Sequence, residues 1–164
     1  MKELYVLRGA PGCGKTTWIK NNNLELFKLS ADDLRLICCE PTMARDGSFV
    51  ISQENSNFVW DILFEILDFR LRKGFKTVID ATASHLAEIR FYYELAQKYG
   101  YELIIVDFGD IPVDRCLVQN RQRDKLRFVP EEVIIKYCTR YSSQKKEYDK
   151  FISEHTGIKV IKRN

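Results

Sequence analysis

The sequence predicts an α/β fold of three layers, in which a parallel sheet of four to five strands carries helices on both faces. Two observations support this class. Short apolar runs alternate with segments of helical periodicity along the chain. The run Leu103-Ile104-Ile105-Val106 is apolar throughout, which is typical of a strand covered on both sides. Because no linker, repeat or low-complexity tract divides the 164 residues, we expect a single domain over 1–164.

The first half of the chain alternates between strand and helix. An apolar run predicts a strand over 4–8, and a helix over 15–22 follows it and stops at three consecutive asparagines. We expect a short strand over 27–30, a short helix over 31–37, and a loop over 38–50 that contains Pro41 and Gly47. Ser52 is the predicted cap of a long helix that reaches about Lys73 and ends at Gly74.

The second half continues the alternation. We predict a buried strand over 77–80, a helix over 86–99 that Gly100 closes, a strand over 101–108 and a helix over 112–120. Another helix opens at Val129-Pro130, with proline at its first position and acidic residues in its first turn. A last strand is predicted over 158–161. In such a fold, ligands bind at the carboxyl ends of the parallel strands.

The composition bounds the function. Hydrophobic residues make up 45% of the chain and charged residues 30%, and no apolar run reaches membrane-span length, so we expect no membrane partner. The net charge is only +3, so any basic site must be local. The five cysteines form no C-x-x-C pair, and the first strand leaves no room for a signal peptide, so we expect reduced thiols and a cytoplasmic location.

A glycine-rich segment carries the strongest functional signal. Gly9-Ala10-Pro11-Gly12-Cys13-Gly14-Lys15-Thr16 has the G-x-x-x-x-G-K-T spacing of a phosphate-binding loop between a strand and a helix. Glycines let backbone N–H groups converge on phosphate oxygens, and the helix start adds a positive dipole end. We predict a nucleoside triphosphate site, the alternative being a glycine-rich turn. The predicted nucleotide contacts here are Gly9, Pro11, Gly12, Cys13, Gly14, Lys15, Thr16 and Thr17.

Three residues of this loop have individual roles. Lys15 would reach the terminal phosphates, and the Thr16 hydroxyl would bind Mg²⁺ directly. Cys13 lies beside a helix N-terminus, where the pKa of a thiol tends to fall, so we expect it to be sensitive to alkylation.

A second polar group follows the second strand. Ser30 and Asp33 have the spacing of a capping box. Asp32 and Arg35, three residues apart, share one helix face. Asp32 could accept a proton from an attacking hydroxyl, and Arg35 could hold a phosphate of the acceptor bidentately. The alternative is an Asp–Arg pair exposed to water at a helix start.

Asp80 ends a predicted buried strand. Acids at this point commonly organise the Mg²⁺ shell in enzymes with this loop, so Asp80 and Asp32 could hold the metal through water, next to the acceptor. The alternative is a turn residue that caps the next helix.

A basic segment precedes Val129-Pro130. Its five cationic residues fall within thirteen positions, and they are Arg115, Arg121, Arg123, Lys125 and Arg127. A guanidinium at a transferring phosphoryl group can be worth about 10³–10⁵ in rate. We therefore predict an arginine-bearing lid over about 115–130. A solvated basic face and a contact with a nucleic-acid backbone remain as alternatives.

Together these strings resemble the phage and bacterial 5′-hydroxyl polynucleotide kinases, over most of residues 1–145. The matching strings are Gly9-x-Pro11-Gly12-x-Gly14-Lys15-Thr16-Thr17-Trp18, Asp32-Asp33-x-Arg35, Asp80-Ala81-Thr82 and the arginines before Val129-Pro130. The resemblance implies a P-loop kinase-like fold, with Lys15 and Thr16 on the donor phosphates and metal. It also implies that Asp32 is the general base for the 5′-hydroxyl and that Arg35 clamps the first internucleotide phosphate.

The lid departs from the pattern of that family. The family usually carries two lid arginines four residues apart, the first followed by asparagine. Here Gln119-Asn120 occupies the first position and Arg123 the second. Arg123 is therefore the predicted catalytic arginine, beside Asp32 and Lys15, and Arg121 is the second candidate.

The expected activity is Mg²⁺-dependent transfer of the γ-phosphate of ATP, or another nucleoside triphosphate, to the 5′-OH end of RNA or DNA in repair or end healing. Two other interpretations stay open, a small-molecule kinase of the same fold and a nucleotide-gated binding module without turnover. A homo-oligomer is also open. Phe49 and Phe128 lie in predicted loops, where either could stack on a terminal nucleobase.

Overall fold

The structure, a computed structural model, describes residues 2–163. Within this range the strands are β1 (Lys2–Arg8), β2 (Lys28–Ser30), β3 (Thr42–Met43), β4 (Phe49–Val50), β5 (Thr77–Asp80), β6 (Tyr101–Asp107) and β7 (Ile158–Lys162). The helices are α1 (Lys15–Asn21), α2 (Ala31–Cys38), α3 (Ser56–Arg72), α4 (Leu86–Tyr99), α5 (Val113–Arg121), α6 (Glu131–Ser143) and α7 (Lys145–Glu154). Short 3-10 turns lie at Glu25–Phe27 and Lys125–Arg127.

Five strands form one parallel sheet in the order β2-β5-β1-β6-β7. Leu7 of β1 pairs with Asp80 of β5 on one side and with Val106 of β6 on the other, and Ser30 of β2 pairs with Asp80. The carboxyl ends of these four strands therefore meet at one edge of the sheet. The predicted fold class, a parallel α/β sandwich with up to five strands, is confirmed.

Two buried apolar clusters lie on opposite faces of the sheet and define the three layers. One cluster packs α2, α3, α4 and α7 against the sheet, and the other packs α1, α5 and α6. Helix α3 shows why: Val59, Leu63, Leu67 and Leu71 recur every fourth residue and are fully buried. Burying each such side chain contributes about 1.5–3 kcal/mol.

The start of α3 differs from the prediction. The helix begins at Ser56 rather than at Ser52, and Asn55 precedes it with a φ of +52°. The Ser52 hydroxyl is buried and accepts a hydrogen bond of 3.1 Å from the backbone N–H of Glu54. A serine that bonds two residues ahead forms a turn of its own, so its side chain cannot cap the helix.

The predicted loop over 38–50 is wrong in part, because it contains the antiparallel hairpin β3–β4. The backbone N–H of Ala44 donates to the carbonyl of Ser48 (2.8 Å), and Gly47 completes the turn with a φ of +79°. Pro130 also differs slightly from its predicted place, since it lies just before α6 rather than at its first helical position.

No helix within residues 2–163 is long and apolar enough to cross a bilayer. All five cysteines are free.

Candidate active site

The glycine-rich loop connects β1 to α1 at the carboxyl edge of the sheet, as predicted. Gly12 and Gly14 have φ values of +82° and +99°, which favour glycine. A side chain at Gly12 would collide with the carbonyl oxygen of Cys116, and a Cβ at Gly9 would lie 2.6 Å from Cβ of Phe108. The loop is therefore pressed against α5 and the end of β6, and its glycines are required for its shape.

Lys15 and Thr16 begin α1 at the mouth of this loop. The Lys15 ammonium donates to the carbonyl oxygens of Gly9 (2.7 Å) and Ala10 (2.9 Å), so it lies across the loop. Thr16, with Thr17 after it, is exposed on the first turn of α1. A lysine and a hydroxyl are thus placed together at the N-terminal end of a helix, where phosphate is favoured.

Cys13 corrects one expectation. The side chain is buried under the loop, and this burial raises the pKa of the thiol, although the nearby Lys15 ammonium opposes the shift. The predicted fall in pKa at the helix N-terminus is outweighed by loss of solvent. Because the reactive species is the thiolate, the structure does not support an alkylation-sensitive Cys13.

Asp80 ends β5, the strand between β1 and β2. Burial raises the pKa of the Asp80 carboxyl, the Lys15 and Lys28 charges lower it, and the Asp32 and Asp33 carboxylates raise it further. Asp80 thus lies between the loop on one side and the start of α2 on the other. The next helix, α4, is capped by His85, so the alternative role for Asp80 as a helix cap is not supported.

The first turn of α2 carries the predicted acceptor residues. Arg35 donates to the Asp32 carboxylate at 3.4 Å and to the Ser56 hydroxyl at 3.0 Å. The Asp32 side chain is 44% exposed, but the Arg35 side chain is only 7% exposed, so the pair is not the fully solvated pair of the alternative interpretation. The Nε atom of Arg35 is buried without a hydrogen-bond partner among the described residues.

Asp33 corrects the expected capping box. Ser30 is the N-cap of α2 and accepts from the backbone N–H of Asp33 at 3.5 Å. The Asp33 carboxylate instead forms ion pairs with Lys28 (2.6 Å) and Arg127 (3.0 Å). Although partial burial opposes it, these two bonds hold the pKa of Asp33 below its usual value. Two cations compete successfully for the carboxylate, so only half of the capping box forms.

The two candidate lid arginines lie in different surroundings. Arg121 is exposed and forms an ion pair of 2.7 Å with Glu131, which holds it on the outer surface. Arg123 forms no ion pair with any described residue and is half-buried. Burial lowers the pKa of its guanidinium, and the Asp32 and Asp80 charges oppose the shift. The structure therefore brings Arg123, and not Arg121, towards the two aspartates.

The other cations of the basic segment are dispersed. Arg127 pairs with Asp33, and Lys125 pairs with Asp46 of the hairpin at 3.5 Å. Arg115 is exposed on α5. The segment is therefore not one continuous solvated basic face, because two of its members are tied to α2 and to the hairpin.

Two side chains that were assigned no role from the sequence support this site. Ser56 accepts a hydrogen bond from Arg35. It was overlooked because the helix was predicted to start at Ser52, which placed Ser56 inside the helix rather than at its first residue. Asn120 is fully buried and bonds both the carbonyl (2.8 Å) and the N–H (3.2 Å) of Val129, which closes the base of the segment between α5 and α6. Asn120 matches the asparagine of the lid pattern, but that match alone does not show that its side chain bonds Val129.

The shape and chemistry of the site bear on whether it can hold a nucleotide and a divalent cation. The cradle has no room for a Cβ at Gly9 or Gly12 and offers the N-terminal end of α1 to an anion. Thr16 offers an oxygen ligand, and the half-buried Asp80 carboxyl is a group that a cation would stabilise in its ionised form. The residues present therefore fit both groups.

Comparison with known proteins adds a family and two structures. A family model described as "AAA domain" (AAA_33) matches residues 4–143. A chain of the Pnkp1/Rnl/Hen1 RNA repair complex is 23% identical, with a TM-score of 0.71 over 90% of this chain and 46% of that chain. A chain of the AvrRxo1-ORF1:-ORF2 structure with ATP is 20% identical, with a TM-score of 0.70 over 100% of this chain and 55% of that chain.

The chain thus spans about half the length of both chains it matches, 46% of one and 55% of the other. At these identities the likeness shows the fold, which is that of P-loop kinase-like proteins.

Proposed function

Since the chain belongs to the AAA domain family, whose pattern covers residues 4–143, we propose that it is a polynucleotide 5′-hydroxyl kinase. The reaction is transfer of the γ-phosphate of ATP, or another nucleoside triphosphate, to the 5′-OH end of RNA or DNA. The process it serves is nucleic-acid repair or end healing, and the likeness to a chain of an RNA repair complex is consistent with that role.

One observation carries the proposal. Asp32 and Arg35 lie on one face of α2, at the sheet edge that also holds the phosphate-binding loop. Strands β2 and β1 are separated only by β5, so the start of α2 and the loop lie two strand spacings apart, about 10 Å. That gap fits a transferring phosphoryl group and an attacking hydroxyl. A pure nucleotide-binding module has no use for a base there.

On the donor side, the loop backbone and Lys15 hold the triphosphate, with Gly9, Pro11, Gly12, Cys13, Gly14, Thr16 and Thr17 forming the cradle. Lys15 exchanges its two loop carbonyls for phosphate oxygens when the nucleotide enters. Mg²⁺ would be held by Thr16 directly and by Asp32 and Asp80 through water. When bound, it neutralises phosphate charge.

On the acceptor side, the 5′-hydroxyl oxygen attacks the γ-phosphorus as the bond to the β-phosphate oxygen breaks. Asp32 accepts the hydroxyl proton, and the nucleoside diphosphate leaves. Arg35 is held nearly buried by Asp32 and Ser56, and it grips the first internucleotide phosphate of the acceptor. Arg123 stabilises the charge on the equatorial oxygens from a lid that spans about 115–130.

A comparison of acceptors tests this proposal against the small-molecule alternative. Labelled γ-phosphate is offered to a nucleoside, a nucleoside 3′-monophosphate and a short oligonucleotide with a 5′-OH end, as RNA and as DNA. We expect no measurable transfer to the nucleoside, and transfer to the two acceptors that carry a 3′-phosphate, because only they offer Arg35 its ligand. Preferred transfer to the free nucleoside would replace the proposal with a small-molecule kinase. ATP binding without transfer to any of them would favour the binding module.

A further inference from the structure

The β3–β4 hairpin presents an apolar platform beside the candidate site. Met43 lies directly opposite Phe49 in the antiparallel pair, so both side chains project from the same face. Met43 is 65% exposed and Phe49 is 55% exposed. Two large apolar side chains that share a face are thus offered to solvent on a two-stranded hairpin, which gains nothing in folding stability from leaving them there.

The hairpin is ordered by its own turn. The backbone N–H of Gly47 donates to the carbonyl of Ala44 at 3.0 Å. The Asp46 carboxylate accepts from the N–H (3.0 Å) and the hydroxyl (2.6 Å) of Ser48. A platform that is already ordered loses little conformational entropy when a ligand binds.

The lid fixes the place of the hairpin relative to the site. The backbone N–H of Ile51, just after β4, donates to the carbonyl of Leu126 at 3.2 Å. The next lid residue, Arg127, pairs with Asp33 at 3.0 Å, directly beside Asp32. Neighbouring Cα atoms are about 3.8 Å apart. The same short stretch of lid therefore touches the hairpin on one side and the proposed base-bearing turn of α2 on the other.

The hairpin turn offers a cation that can bind a phosphate. Arg45 is exposed at the hairpin turn and forms no ion pair with any described residue. Two further cations of the lid lie near, each paired with a carboxylate: Lys125 with Asp46 of the hairpin turn and Arg127 with Asp33 of α2. Aromatic surface bordered by cations is the chemistry that holds single-stranded nucleic acid, through stacked bases and paired phosphates. A stable protein partner would need roughly 1,000 Å² or more, far above what two side chains provide.

We propose that the β3–β4 hairpin binds the single-stranded acceptor downstream of its 5′ end, with a base stacked on Phe49 beside Met43 and a phosphate on Arg45. This inference rests on the proposed function and adds a substrate class to it. Because stacking on Phe49 needs an unpaired base, the favoured acceptor is a single strand or a 5′ overhang rather than a blunt duplex.

Acceptors of graded length test the platform. The wild type is compared with Phe49→Ala and with Phe75→Ala. Phe75 is a matched control, because it is 50% exposed and lies just before β5, at the amino ends of the strands and away from the site. In the wild type we expect KM to fall from dinucleotide to hexanucleotide. Phe49→Ala should raise KM for the hexanucleotide by about fivefold or more, which is the low end of base stacking, and Phe75→Ala should not. Equal hexanucleotide KM values in wild type and Phe49→Ala would overturn the proposal.

A binding measurement separates this proposal from the kinase activity. A hexanucleotide that already carries a 5′-phosphate cannot accept transfer, so only its binding is observed. Phe49→Trp should gain a tryptophan emission that this oligonucleotide quenches and that a blunt duplex of the same sequence quenches less. The logarithm of the single-strand binding constant falls linearly with the logarithm of the salt concentration, and Arg45→Ala should make this slope shallower by about 0.7. An unquenched Phe49→Trp would overturn the platform even if the enzyme transfers phosphate, whereas quenching without any transfer would retain the platform and reject the kinase.

Discussion

Arg121 and Arg123 are two residues apart, yet they face different surroundings. Glu131 holds Arg121 on the outer surface, whereas Arg123 lies near the Asp32 and Asp80 charges. We expect Arg123→Ala to lower kcat by at least about a hundredfold, somewhat below the range for an arginine at a transferring phosphoryl group. Arg121→Ala is the matched control and should stay within about threefold of wild type. Steady-state turnover measures both, and the reverse order would move the role to Arg121.

Ser56 is a positioning residue for Arg35, because it accepts a hydrogen bond of 3.0 Å from the guanidinium. A hydrogen bond to a charged group contributes about 1.5–3 kcal/mol, which corresponds to roughly ten- to hundredfold in binding. Ser56→Ala should therefore raise KM for the acceptor by about tenfold and leave KM for ATP unchanged. Ser56→Thr, which keeps the hydroxyl, should restore the acceptor KM. Equal increases in both KM values would mean that Ser56 merely supports the fold.

At this scale, the sequence identified side chains whose chemistry is local and missed those that depend on distant partners. The loop glycines and the spacing of Asp32 and Arg35 were evident because one segment contains the whole pattern. Cys13 and Asp33 were misjudged because burial and two cations from other segments decide their state. No local pattern reports such effects.

The segment between α5 and α6 is closed at its base by one buried side chain. Asn120 bonds both polar groups of the Val129 backbone, so its loss leaves a partly buried N–H and a partly buried carbonyl without these partners. Asn120→Ala should cost about 1–3 kcal/mol and should speed amide exchange over 121–128. Gln122→Ala, an exposed amide in the same segment, is the control. Hydrogen exchange followed by mass spectrometry decides the matter, and unchanged exchange would show that Asn120 does not hold the segment.

Among the elements, those with a clear apolar pattern were predicted well, and those without one were not. Helix α4 and strand β5 have the predicted bounds, since an amphipathic stripe or a buried apolar run marks each of them. Strands β3 and β4 have two residues each, too few to show a period of two. The hairpin is stabilised by its turn and by contacts with Leu126 and Lys125, which no local pattern contains.

Over the whole molecule, one buried ion pair joins the start of the phosphate-binding loop to strands β6 and β7. Arg8, the last residue of β1, pairs with Asp107 of β6 at 2.7 Å, and Lys162 of β7 reaches the same carboxylate at 2.6 Å. The Arg8 guanidinium lies 4.6 Å from the ring centre of Tyr141 and 4.1 Å from that of Tyr148. Three strands and two helices thus meet at the Arg8–Asp107 pair next to Gly9.

This carboxylate makes stability depend on pH. Although burial opposes it, the Arg8 charge and the bond from Lys162 hold the pKa of Asp107 below its usual value. A carboxyl whose pKa is lower in the folded than in the unfolded protein stabilises the fold at pH values above the unfolded pKa of about 3.9. This contribution is lost as the pH falls from about 3.9 towards the folded pKa. Asp107→Asn should cost about 3–5 kcal/mol near neutral pH, because Arg8 loses its partner.

Urea unfolding between pH 3 and pH 7 measures this effect as a free energy of unfolding. The wild type should lose stability towards the acid end of that range, and Asp107→Asn should be less stable at pH 7 but show a smaller acid loss. If the free energy of unfolding fell equally with pH in wild type and Asp107→Asn, the role assigned to the Arg8–Asp107 pair would be contradicted.

The central claim is that Asp32 takes the proton of a polynucleotide 5′-hydroxyl opposite the phosphate-binding loop. The most direct test is single-turnover transfer from labelled ATP to a 5′-OH oligonucleotide by the wild type and by Asp32→Asn, with ATP affinity measured in parallel. We predict that Asp32→Asn slows transfer by about 10²–10⁴-fold, as loss of a general base does, while the Kd for ATP changes by less than about threefold. Transfer at the wild-type rate, or equal loss of transfer and ATP binding, would contradict the account.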